Sequence, residues 1–301
     1  MVNEEVLVLT LPYRLDLTVW ALRRHHNNQV DHWDGRYFHR LIFVDNICSS
    51  VRVYQTDPHH LHIKCQQNLN AWQKAQLLTE LSSLLGVNRD INDFYQLMAT
   101  DETMLSLVKP FYGFKPPRFL SIFEAMLNAI TCQQISLGAA ISLLNKLAHN
   151  LGTKQAKFHA LPHESQIANC KPFQLQQLGF SRQRSESLIY LAKLMLEQTE
   201  QFKDLANLSN KEVIYQLCQL PGIGPWSADY ILLRGLGRLD VFPRTDSGAK
   251  RSLQTYLNLD SNFDYRQMMR LVDKWQPFAG LVYFHLLLNK LKDKNYLQVA
   301  S

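Results

Sequence analysis

The sequence predicts an α+β protein, with an N-terminal antiparallel β-sheet and helices followed by a mostly α-helical, two-lobed core carrying a helix–hairpin–helix. Three observations predict it. Short runs rich in β-branched and aromatic residues, several with alternating polarity, occupy residues 6–65. From about residue 88 the apolar residues recur instead at helical spacing. The segment LPGIGPW places two glycines and two prolines between two such helical stretches. With 301 residues and 46% hydrophobic side chains, the chain is long and apolar enough for two or three modest domains, each with a core.

The elements follow in order. Residues 6–11 read as a strand and 17–24 as a short helix bearing Trp20. Strands are expected at 37–44, 48–55 and 60–65, the last alternating as HLHIKC. A helix over 70–85 stops at Gly86. Helices are expected over 90–100 and 102–108, then a Pro- and Gly-containing connector at 109–118. Further helices are expected over 119–131, 137–151, 164–168, 172–178, 182–198, 211–219, 226–236, 247–257, 264–275 and 280–291.

The balance of 32 basic and 26 acidic residues leaves +6, which favours polyanions but does not by itself separate a DNA binder from an ordinary basic enzyme. The five cysteines are widely spaced, with no C-x-x-C pair, so no zinc or iron–sulfur motif is supported, and they read as free thiols in a reducing compartment. The histidines show no metal-ligand spacing; the adjacent pairs His25 with His26 and His59 with His60 are expected to point apart if they lie on a regular element. No signal-peptide pattern opens the sequence and no long apolar run is present. A cytoplasmic monomer with no membrane partner is expected, associated with the nucleoid if the source is bacterial.

Pro221, Gly222, Ile223 and Gly224 form the hairpin, and Pro225 opens the next helix at a position where a missing N–H costs nothing. The helix's free amides and positive dipole end suit a phosphate. A bare PGIG is only a turn; flanked by an apolar helix on each side, it reads as a grip on a DNA backbone. Downstream, Asp246 precedes SGAKRSLQTYL and is expected at a helix N-cap. Capping is the commoner fate of such an aspartate, and it is compatible with stabilising positive charge or orienting a water.

These residues resemble the helix–hairpin–helix DNA glycosylases, and within them bacterial 3-methyladenine DNA glycosylase II. The resemblance rests on LPGIGPWSADYILLRG, on DVFPRTD with Asp246 at the family's catalytic aspartate, and on FEAMLNAITCQQISL, LGFSRQRSESLIYLA and WQPFAGLVYFHLL. It covers nearly the whole chain and implies a TATA-binding-protein-like N-terminal domain. The units that the resemblance implies are an α+β domain at 1–95, a helical domain with the hairpin at 119–238, and a second helical lobe from 96–118 and 239–301, with an active-site cleft between the two lobes. It places the intercalating wedge at Gln134 or Ile135, where a bulkier apolar residue is expected, and it leaves Leu287 where a pocket aromatic is expected. Bifunctional relatives carry a lysine nucleophile where this chain has Trp226, which cannot form a Schiff base. No cysteine follows Cys218, so the iron–sulfur branches of the family are not matched. The resemblance implies no cofactor and allows a structural monovalent cation held by hairpin carbonyls.

The implied activity is monofunctional excision of alkylated purines, such as 3-methyladenine and 7-methylguanine, from double-stranded DNA containing damaged bases. The base is flipped and the sugar's oxocarbenium-like charge is stabilised by Asp246. Trp226 and Tyr230, four apart on one helix, would wall the pocket, with Trp20 reaching it from the N-terminal domain; plain core packing is the alternative for each. Arg244, Lys250, Arg251, Arg182 and Arg184 are candidate phosphate contacts, against a solvated surface charge in each case. Two other readings stay open: a non-catalytic helix–hairpin–helix module for damaged DNA, and a glycosylase for deaminated or oxidised purines, which needs a general acid.

Overall fold

The computed structural model describes residues 3–298. The sheet is built from β1 (Asn3–Val8), β2 (His32–Trp33), β3 (Phe38–Val44), β4 (Ile47–Asp57) and β5 (His60–Cys65), all antiparallel, in the order β1-β5-β4-β3-β2. Its register is set at the β3–β4 turn, where Asp45 and Asn46 both adopt positive φ (48° and 62°) and so match the twist of the strands they join. β1 stops at Val8, short of the expected residue 11, because the chain turns away before Pro12, which has no N–H for a ladder. Helix α1 (Leu15–Arg23) crosses between β1 and β2, and α2 (Ala71–Leu84) follows the sheet, opened by a capping box between Asn70 and Gln73.

The remainder is helical: α3 (Asn92–Met98), α4 (Glu102–Val108), α5 (Ile122–Cys132), α6 (Leu137–Leu151), a small hairpin of β6 (Lys154–Gln155) and β7 (Phe158–His159), then α7 (Glu164–Ala168), α8 (Pro172–Gln177) and α9 (Arg182–Glu197). It continues with α10 (Thr199–Asp204), α11 (Asn210–Cys218), α12 (Pro225–Arg234), α13 (Ser247–Tyr256), α14 (Tyr265–Asp273) and α15 (Ala279–Asp293). The β2, β6, β7 and α10 segments are absent from the sequence reading. Three are two residues long, and α10 has a single buried side chain, Phe202, so none shows a period.

Packing redraws the domain boundaries. The sheet, α2, α5, α9 and the first part of α12 share one continuous core, so 1–95 and 119–238 are not separate packing units. They are further joined by a buried ion cluster, in which Arg40 of β3 pairs with Asp31 and with Glu124 of α5. A second core unites α3 and α4 with α13, α14 and α15. Ile91 and Phe94, expected in the first domain, belong to that second lobe, where Phe94 packs against Phe278 and His285. A third cluster, containing Leu17, Trp20, Phe111, Phe114, Leu233 and Phe284, fills the space between α1, α12 and α15.

His285 on α15 is wholly buried among Phe94, Phe111 and Phe114; its Nδ1 donates to the Leu281 carbonyl and its Nε2 has no partner. Burial pushes its pKa down to about 4. His39 is also lowered to about 4, by burial and then by Arg52, which donates to its Nε2. Both are neutral when folded and take up a proton below about pH 6.5 when unfolded, so the stability they confer is present above pH 6.5 and is lost as pH falls toward 4. His285 alone removes about 2 kcal/mol between pH 7.5 and 5. Thermal denaturation across this range is expected to show the loss, and His285→Phe to flatten it; an unchanged slope would contradict the assignment.

Candidate functional site

The site starts at the hairpin between α11 and α12. Gly222 has φ +81°, and a Cβ there would lie 2.7 Å from the Ser187 hydroxyl, so conformation and packing both require glycine. Gly224 differs. Its φ of −103° and ψ of −178° suit any residue, and an added Cβ would meet nothing. Neither backbone conformation nor packing within the protein requires glycine here. Ile223 is 5% exposed and belongs to the core, so it anchors the loop and leaves contact to the backbone and to exposed Pro221. With Pro225 at the first helical position, the amides of Gly224, Trp226 and Ser227 find no acceptor among the described residues.

From this helix start, Trp226 and Tyr230 stack at 5.2 Å and 24°. The Trp226 indole N–H donates at 2.9 Å to Asp246 Oδ2. The same oxygen accepts the Tyr283 hydroxyl at 2.8 Å, and Oδ1 caps α13 by accepting from the Ala249 amide at 2.8 Å. One half-buried carboxylate is therefore held by donors from α12, α13 and α15. Burial, reinforced by the Asp246 charge, pushes the Tyr283 phenol well above its ordinary pKa, which keeps it a donor. The loop carrying Asp246 is fastened by Asp229 of α12, whose buried carboxylate accepts from the Arg244 backbone amide and from its guanidinium at two points.

Residues 127–277 match the HhH-GPD superfamily of base excision DNA repair proteins. The chain belongs to this family. It is 23% identical over 291 residues to a DNA-3-methyladenine glycosylase of Bacillus subtilis, covering 94% of this chain and 96% of that one. It is 27% identical over 231 residues to DNA-3-methyladenine glycosylase 2 of Escherichia coli, covering 76% of each. Its fold superposes on the 3-methyladenine DNA glycosylase from Archaeoglobus fulgidus with a TM-score of 0.85 at 22% identity, over 95% of this chain and 98% of the other.

In this HhH-GPD protein, several expected side chains sit elsewhere. Trp20 does not join Trp226: its ring stacks on Tyr296 at 5.1 Å, Arg23 lies over it, and it is 9% exposed within the third core. Tyr230 is 4% exposed and stands behind Trp226, its hydroxyl accepting from Arg24 at 2.7 Å. Arg24, which also donates to Asn128, and Tyr283 both escaped the sequence reading. Tyr283 stands one helical turn before Leu287, where an aromatic was expected; that spacing was the available signal.

Among the cations, Arg244 is committed to Asp229, Arg182 to Glu186, and Arg184 to the carbonyl of Gln133. Lys250 lies over the Tyr265 ring at 5.1 Å, and Arg251 is exposed. Gln134 is exposed at φ +53°, whereas Ile135 packs against the first core. Two hairpin carbonyls are already engaged, that of Leu220 by the Ile223 amide and that of Gly222 by the Gln133 side chain, so a cation there would have to share them. Among the described residues no cluster of three metal-ligating side chains forms, and no helix is long and apolar enough to cross a membrane.

The two hairpin glycines are expected to respond differently to alanine. Gly222→Ala should cost about 1–3 kcal/mol through strain and collision with Ser187, and Gly224→Ala less than about 0.5 kcal/mol. Chemical denaturation distinguishes them, and equal losses would refute the packing assigned to Gly222.

Proposed function

We propose that the protein is a monofunctional DNA glycosylase that hydrolyses the N-glycosidic bond of alkylated purines in duplex DNA, the 3-methyladenine and 7-methylguanine type, during base excision repair. The observation that carries the reading is the Asp246 carboxylate, held by Trp226, Tyr283 and Ala249 one helix away from a hairpin with free amides. The 3-methyladenine glycosylases among its relatives support the substrate class.

The steps follow from the chain's own groups. The amides of Gly224, Trp226 and Ser227, at the positive end of α12, receive a backbone phosphate, with exposed Pro221 in the same hairpin. The target nucleotide leaves the stack, and Gln134, on its exposed turn, fills the gap. A purine alkylated at N3 or N7 is cationic, and the half-buried indole of Trp226 offers it an electron-rich face. As the glycosidic bond breaks, positive charge grows on the sugar; Asp246 stabilises it and orients water, giving free base and an abasic site.

Trp226 has no amine to form a Schiff base, which supports hydrolysis without strand cleavage. A neutral deaminated base would need an acid to leave. The nearest hydroxyl, Tyr283, already directs its proton to Asp246 and is made a weaker acid by burial, so it does not favour that reading.

Asp246→Asn is expected to lower single-turnover release of methylated bases by about 10³-fold while binding to the same duplex persists or tightens. Chromatography of the bases freed from methylated DNA measures it. Full excision by the variant contradicts the mechanism, and binding by the wild type without any base release contradicts the enzyme.

A further inference from the structure

The turn between α5 and α6 and the hairpin between α11 and α12 lie 89 residues apart in sequence and meet at one side chain. Gln133 Nε2 donates to the Gly222 carbonyl at 2.7 Å and to the Ser227 hydroxyl at 3.0 Å. The backbone carbonyl of Gln133 accepts from the guanidinium of Arg184 on α9. The same helix supplies Ser187, which packs where a side chain on Gly222 would stand. Three elements are thus bolted together at a point next to Gln134, the exposed residue with left-handed backbone. Such a conformation in a non-glycine residue persists only where its surroundings hold it.

The chemistry of the contacts is directional. Gln133 takes the carbonyl side of the hairpin, and Ser227 holds the first turn of α12, so the hairpin's amides stay free for phosphate. Arg184 is consumed by an internal carbonyl and is not a free surface cation. We propose that Gln133 and Arg184 are positioning residues that lock the Gln134 turn to the phosphate-binding hairpin, so that gripping the backbone and holding the nucleotide out of the stack act as one rigid unit. The proposal rests on the glycosylase reading above. It differs from a simple structural role in that it separates two kinds of binding. Grip on undamaged duplex needs the hairpin alone, whereas a stably everted site needs the turn and hairpin in fixed register.

The test uses the full chain and two duplexes, one undamaged and one carrying a tetrahydrofuran abasic analogue beside 2-aminopurine, which brightens when unstacked. Gln133→Ala, Arg184→Ala and the isosteric Gln133→Glu, which replaces the donor by an acceptor, should each lose about tenfold in affinity and signal on the abasic duplex, with kcat on methylated DNA falling by a similar factor. Affinity for undamaged duplex should stay within about twofold, Arg184→Lys should recover part of the loss, and the double alanine variant should be no worse than the worse single. Equal losses on both duplexes would overturn the proposal, as would no loss on either. A wild-type protein that releases no methylated base defeats the glycosylase reading instead, while the affinity and fluorescence comparisons still decide the latch.

Discussion

Three donors on three helices converge on one carboxylate, and that convergence fixes where Asp246 sits. Trp226 reaches Asp246 only if the hairpin delivers α12 at one angle, and Tyr283 reaches it only if α15 packs beneath α13. The Asp229–Arg244 fork then fixes the loop between α12 and α13, so Asp246 enters its helix with little freedom left. An ionised carboxylate only accepts hydrogen bonds. Surrounding it with fixed donors costs no reorganisation when a cation forms nearby, which is how a preorganised charge differs from one in water.

Behind this front lie two buried arginines, Arg24 and Arg234. Both are nearly inaccessible and find hydroxyl, amide and backbone oxygens and the Cys132 sulfur, not carboxylates, as their hydrogen-bond acceptors. Arg234 lies 4.9 Å from the rings of both Phe119 and Phe284, so aromatic faces offset part of its desolvation. Arg24 ties the C-terminus of α1 to Tyr230 and Asn128, so the N-terminal domain backs the stacked rings of Tyr230 and Trp226. The N-terminal domain therefore contacts the site through Arg24 at the end of α1, and not through the ring of Trp20.

What the sequence disclosed followed local physics. The HLHIKC strand was legible because alternation alone specifies it, and the hairpin because proline and glycine each restrict the backbone in a known way. Asp246 was legible as an N-cap, with its chemical role supplied by resemblance. Tyr283 was hidden because its partner lies 37 residues away, and its only local mark was its place one helical turn before Leu287. Arg244 and Arg184 misled for the complementary reason: a charged residue in a sequence does not reveal whether an internal acceptor has already claimed it. The two-residue strands were too short to carry any period.

If the carboxylate works because its donors hold it, removing one donor without disturbing the rest should slow the chemistry alone. Tyr283→Phe deletes a single hydroxyl and leaves the ring packed against Phe242. Single-turnover excision at saturating methylated duplex is the direct measurement. A fall of about 10- to 100-fold in rate with half-saturation unchanged is predicted. A rate equal to wild type would show that the convergence on Asp246 is incidental to the reaction.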